Sequence, residues 1–134
     1  MATILAHIRV RDGAEAQFEA LARNLHAATH TNETGVRRYE YWRGADERTY
    51  YSLLAFDDYR AFLAHQTSAH HESASPELRG VVEAIRLEWV DPVQGASDLP
   101  PTESQDIAPD ADALTREYAA RFAVDVAGWW DGVR

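Results

Sequence analysis

"GVRRYEYWRGADERTYYSLLAF", running from Gly35 to Phe56, is the stretch on which the fold turns. Its first part is rich in aromatic and β-branched residues, which suit a pleated, half-buried surface. "GADER" makes a polar turn, and "TYYSLLAF" reads as another strand, so the two pair as a hairpin. Upstream, "ATILAHIRV" alternates, with Ile4, Ala6, Ile8 and Val10 on one side and Leu5, His7 and Arg9 on the other. Period two marks a strand. After it, "DGAE" resembles a helix start, with Asp12 as N-cap and Glu15 three residues on. Phe18, Leu21, Leu25 and Ala28 then mark one helical face as far as about His30. His26 and His30 fall in the last turns, where a partly cationic imidazole suits the negative end of the helix.

Downstream of the hairpin, "DD" is an acidic helix start and "YRAFLAHQTSAH" is the second helix. "SASPELRG" leaves room for a short extra turn before "VVEAIRLEWV", the fourth strand. Val81, Ile85, Leu87 and Trp89 share one side of that strand, and Val82, Arg86 and Glu88 the other. Strand, helix, strand, strand, helix, strand is a ferredoxin-like α+β unit. Both helices then cover one sheet face. The other face carries apolar, aromatic and charged groups together, too much apolar surface to stay in water. Packing it against a second copy is the simplest solution, so a homodimer is expected.

From Asp91 the composition changes. The expected division is a folded unit over 1–95, a Pro-, Ser- and Asp-rich linker over 96–109, and a docking helix over 110–134. Leu114, Tyr118, Phe122 and Val126 give that last helix one apolar stripe.

Composition excludes several functions. The chain has no cysteine, which removes thiol catalysis and thiolate metal sites. Its 13 basic residues are all arginines, so no Schiff-base lysine exists. A net charge of -9 opposes binding to a nucleic-acid backbone. The N-terminal stretch is broken by His7, Arg9 and Arg11, unlike a signal peptide, and no apolar run is long enough to span a membrane. A cytoplasmic, soluble protein is expected.

"AHQTSAHHE", Ala64 to Glu72, places three histidines within seven residues. A two-histidine metal site on one helix needs a spacing of four; the spacings here are five, six and one, so no metal is expected. If one helix runs through, Tyr59, Phe62, Leu63, Gln66 and His70 share a face, with His65 and His71 on its flanks. The run also contains H-x-x-S-x-H, formed by His65, Ser68 and His70, after "YYSLLAFDDYRAF". This pattern, with the strand–helix order, resembles the antibiotic biosynthesis monooxygenase family over roughly residues 2–95.

The resemblance implies a homodimer whose sheets pack into a dimeric α/β barrel, with a pocket between helices and sheet in each subunit. It also implies oxidation of an aromatic polyketide, anthrone or quinol by molecular oxygen, with no metal, flavin or haem. Such chemistry needs a base near the working pH, a donor for a developing oxyanion and aromatic walls. His70 is the candidate base or proton shuttle, because histidine needs no tuning for that role. Tyr59 is the candidate donor and Arg86 a further oxyanion partner. Trp42, Tyr51, Phe56 and Phe62 are available as walls, His7 is a further candidate substrate-binding residue, and His65 either fixes the helix end or touches substrate. The chain departs from the family pattern at Phe56, where a tryptophan is common. It departs from the haem-degrading relatives at His7, where they carry asparagine, and at Arg60, near an expected tryptophan. A non-catalytic ligand-binding or regulatory dimer of the same fold is the alternative reading, and a haem-binding or haem-degrading relative is a further one.

Overall fold

A computed structural model describes all 134 residues, Met1–Arg134. Four strands, β1 (Ala2–Val10), β2 (Val36–Arg43), β3 (Thr49–Phe56) and β4 (Val82–Trp89), form one sheet in the order β2-β3-β1-β4. Every neighbouring pair is antiparallel. Helix α1 (Glu15–Asn32) follows β1; α2 (Tyr59–Gln66) and α3 (Ala69–Val81) lie between β3 and β4. This is the ferredoxin-like α+β fold expected from the strand and helix periods.

The alternation of β1 decides which face is covered. Ile4, Ala6, Ile8 and Val10 are buried beneath the helices, against Phe18, Leu21 and Leu25 of α1 and Tyr59, Phe62 and Leu63 of α2. On the opposite face the register sets His7 beside Tyr51 and Arg86, Leu5 beside Leu53 and Glu88, and Trp42 beside Tyr51. Trp42 is 59% exposed there. His7 bonds Glu88 at 3.0 Å and stacks edge-on with Tyr51, while Arg86 also reaches Glu88 at 3.0 Å.

Three details differ from the sequence expectations. Gly13 adopts φ +77, a left-handed turn open to glycine, which makes Ala14 rather than Asp12 the N-cap of α1. The expected continuous helix over Tyr59–His70 breaks at Thr67 and Ser68. Thr67 Oγ1 donates back to the Leu63 carbonyl, and Ser68 Oγ accepts from the His71 amide as N-cap of a new helix. Hydroxyl side chains offer the backbone this alternative to helix continuation. The expected short turn in "SASPELRG" is therefore the body of α3, a helix of 13 residues that also takes Val81 from β4. Its first turn resets the helical phase, so His70 no longer shares a face with Tyr59 and Phe62.

The C-terminal segment folds back on its own subunit. Its helix α4 covers Ala113–Arg121, shorter than the apolar spacing suggests, with Asp112 capping its start. Phe122 packs edge-on to Phe62, Tyr118 stacks on Phe122, and the Tyr118 hydroxyl donates to the Glu72 carboxylate. Thr102 is fully buried, accepting from the Thr3 amide and donating to the Val90 carbonyl, and Arg134 reaches both Asp91 and the Thr102 carbonyl. No helix is long and apolar enough to cross a membrane.

Candidate active site

The broken helix decides what each histidine can touch. His65 lies in the last turn of α2 with its side chain 1% exposed; His70 and His71 lie in the first turn of α3. Glu33, the C-cap of α1, reaches up between them. Its Oε1 lies 2.9 Å from His65 Nδ1 and 2.7 Å from His70 Nε2. Thr29 Oγ1 and Ser68 Oγ sit 3.4 and 3.2 Å from the same nitrogen of His70. Gly35 permits this approach: a Cβ there would stand 2.8 Å from Ala61 Cβ, so any side chain would push α2 away from the start of β2. Burial raises the pKa of Glu33, but hydrogen bonds and charge from His65 and then His70 outweigh it, and the net shift is downward.

Behind His65 lies a cavity of about 240 Å³ between sheet and helices. Its walls include Ile8, Phe18, Leu25, Tyr39, Tyr41 and Leu54, with Leu78 and Arg79 of α3 and Ile85 of β4 toward the rim. The polar groups facing it are few: Ser52, Gln66, His65, His71 and the Tyr39–Tyr41 hydroxyl pair, whose oxygens are 2.9 Å apart. Ser52 Oγ and His71 Nδ1 are buried and have no hydrogen-bond partner. Buried polar atoms are ordinarily satisfied, so two orphans facing one cavity mark a place for a ligand or water. Desolvation, then repulsion from His65, depresses His71 to about 4, so its imidazole is neutral. Burial pushes Tyr41 up to about 12, which keeps its hydroxyl a donor.

His65 joins the two halves. Nδ1 is held by the Glu33 carboxylate, the ring rests against Tyr39 and Phe56 at 4.8 and 5.2 Å, and Nε2 has no protein partner. A carboxylate on one ring nitrogen fixes the tautomer and leaves the other as the basic lone pair.

The other residues singled out from sequence are distributed elsewhere. His70 lies on the outer side of Glu33, in a solvent cleft bordered by Asn32, Thr34 and Ser68. The Tyr59 hydroxyl donates to the Phe122 and Ala119 carbonyls of the C-terminal segment. His7, Tyr51 and Arg86 gather in a depression on the open sheet face, with Trp42 beside Tyr51. Phe56 and Phe62 are fully packed core. Ser52 and Tyr39 carried no expectation as site residues, while Gln66 was expected on the inward helix face and His71 on its flank; all four border the cavity. Ser52 could have been found, because a serine between Tyr50 and Leu54 interrupts an apolar strand face. A wider groove of about 550 Å³ between α1 and β2 is less promising. Its charges satisfy each other: Arg43 grips both Glu19 oxygens, and that bond leads in holding the Glu19 carboxyl at about 2.

Fold and cavity together define a small α+β protein that encloses acid–base groups between one sheet face and its helices. The profile of the antibiotic biosynthesis monooxygenase family matches residues 1–77, and the chain belongs to that family. Solved structures agree on the fold. A Caulobacter crescentus protein named for this family is similar at TM-score 0.65 and 23% identity, covering 69% of this chain and 90% of its own. A Mycobacterium tuberculosis protein is similar at TM-score 0.64 and 20% identity, over 72% and 98%. A Pseudomonas aeruginosa protein gives TM-score 0.62 and 21% identity, over 66% and 90%. No curated protein matches the sequence.

Proposed function

We propose that this protein is a cofactor-independent monooxygenase that oxidises a small electron-rich aromatic with molecular oxygen in the helix–sheet cavity. The observation that carries this reading is His65, oriented by Glu33 through Nδ1 while its Nε2 is left unpaired in a cavity with aromatic walls. His65 takes the proton of a phenol, and the Tyr39–Tyr41 pair or Ser52 donates to the oxyanion that forms. The electron-rich anion reduces oxygen directly. For a quinol the balance closes as quinol plus O₂ giving a hydroxyquinone and one water, with all electrons drawn from the substrate. His70, Tyr59 and Arg86 act outside this cavity: His70 through Glu33, Tyr59 on the C-terminal segment, and Arg86 on the open face.

The cavity volume of about 240 Å³ is below the ~300–1,000 Å³ of drug-sized sites. It favours a one- or two-ring quinol over a three-ring anthrone or a haem. The working unit is a homodimer joined through the open sheet faces, where Trp42, Tyr51, Leu5 and Leu53 would leave water. Oxygen uptake with hydroquinones, naphthoquinols and anthrones tests the activity, and uptake fastest with the smaller quinols is expected. No uptake with any of them, from protein freed of metal, would leave the non-catalytic ligand-binding dimer as the reading. Light scattering should give twice the 15.1 kDa chain mass. Trp42→Glu should shift it toward the monomer.

A further inference from the structure

The cluster outside the cavity has a chemistry of its own. We infer that Glu33, His65 and His70 form a binding site for one exchangeable divalent transition-metal ion. Their ligand atoms all lie within 4.8 Å of one another, and both imidazole nitrogens already converge on Glu33 Oε1 at 2.9 and 2.7 Å. Metal–ligand distances of about 2.0–2.2 Å are reached by small movements, with the ion replacing the protons that now bridge these atoms. Glu33 Oε2 has no protein partner, so the carboxylate can turn without losing another bond.

Helix ends favour a cation here on balance. The site stands at the C-termini of α1, through Glu33, and α2, through His65, and at one N-terminus, that of α3. Two partial negative ends face one partial positive end. Entry is open, because the cleft beside Glu33 and His70 reaches solvent and is bordered by Asn32, Thr34 and Ser68. Two imidazoles and one carboxylate select zinc, cobalt or nickel over magnesium or calcium, which prefer oxygen. Three protein ligands and an open side leave a further position for water, so the ion should exchange. The broken helix is what creates the site: spacing along one continuous helix could not bring His65 and His70 to one ion, but Ser68 restarts the chain so that both face Glu33.

Full-length protein treated with chelator would be titrated with zinc chloride by calorimetry, and with cobalt chloride while visible absorption is followed. One equivalent per chain is expected, with cobalt bands of a nitrogen- and oxygen-ligated site. His70→Gln and Glu33→Gln should each weaken binding at least ~10-fold, the lower bound seen even for lost supporting residues. His26→Ala, which removes the neighbouring surface pair of His26 and His30 on α1, should change nothing. Absence of binding, unchanged affinity in His70→Gln, or loss of binding in His26→Ala would each overturn the site. If Glu33→Gln does not fold, His70→Gln carries the test, since its ring is partly exposed. Binding is read without turnover, so its failure leaves the oxygenation reading standing, and the reverse holds.

Discussion

Two histidines five and six residues apart from a third end up in opposite surroundings, and the contrast separates stability from function. Around Glu33 the polar groups are tied through one atom: Oε1 serves His65 and His70, with Thr29 and Ser68 beside the His70 nitrogen, while Oε2 alone is without a protein partner. A few ångströms inward, His71 and Ser52 hold buried polar atoms with no partner at all. The paired cluster ties the ends of three helices together. The unpaired cavity does not contribute in that way; leaving a buried group unsatisfied costs about 1–3 kcal/mol. A protein retains such a cost where something else is to be bound.

The largest effect expected from breaking this contrast is on turnover. His65→Gln keeps much of the ring's size but removes the basic lone pair, so quinol oxidation should fall by roughly 10²–10⁴-fold. His70→Gln should fall far less, because its ring faces the outer cleft. Equal losses from both would mean that chemistry runs on the outer side of Glu33.

Next in size is an effect of acid on stability. His71 titrates near 6.5 when unfolded and at about 4 when folded, so the unfolded chain binds the proton first. Stability is therefore full above pH 6.5, falls between 6.5 and about 4, and changes no further through this group below that. The depression corresponds to about 3 kcal/mol over the window. Denaturant melts of His71→Leu should show a flatter profile between pH 4 and 6.5 than the parent protein. An unchanged slope would show that His71 is hydrated in the folded state.

The smallest expected effect has the most informative sign. Ser52→Ala removes an orphaned hydroxyl, so stability in denaturant melts should stay level or rise by up to about 1 kcal/mol. Oxidation of a quinol should weaken in the same variant. A less stable but equally active protein would place Ser52 with the paired groups.

The fold was legible because its signals are local and repeated. Period two in "ATILAHIRV" and "TYYSLLAF" assigns both sheet faces, and the observed β3 covers Thr49–Phe56 as read. The site was less legible, for a specific reason. One hydroxyl side chain, Ser68, competes with helix continuation and wins, and every angle reckoned beyond it then changes. His70 was read inward and His71 on a flank on the premise of an unbroken helix. Glu33 lies 32 residues from His65 in sequence and carried no motif, so its meeting with both histidines depends on packing alone. Ser68 after Thr67, with Glu72 in the following turn, is the local cap signal that would have flagged the restart.

Pro76 sits inside α3, near its middle. A proline offers no amide to the carbonyl four residues earlier, so the half of α3 beyond it is tied less firmly to the half before it. That second half carries Leu78 and Arg79, which border the cavity. Breathing motions should therefore be unevenly spread, with the amides of Leu78 and Arg79 exchanging with deuterated solvent well before those of Leu21 and Leu25 in α1. The rim of the cavity is then its most yielding part, a hinged panel on a fixed frame, and a bound molecule should find its fit adjusted there rather than at the sheet.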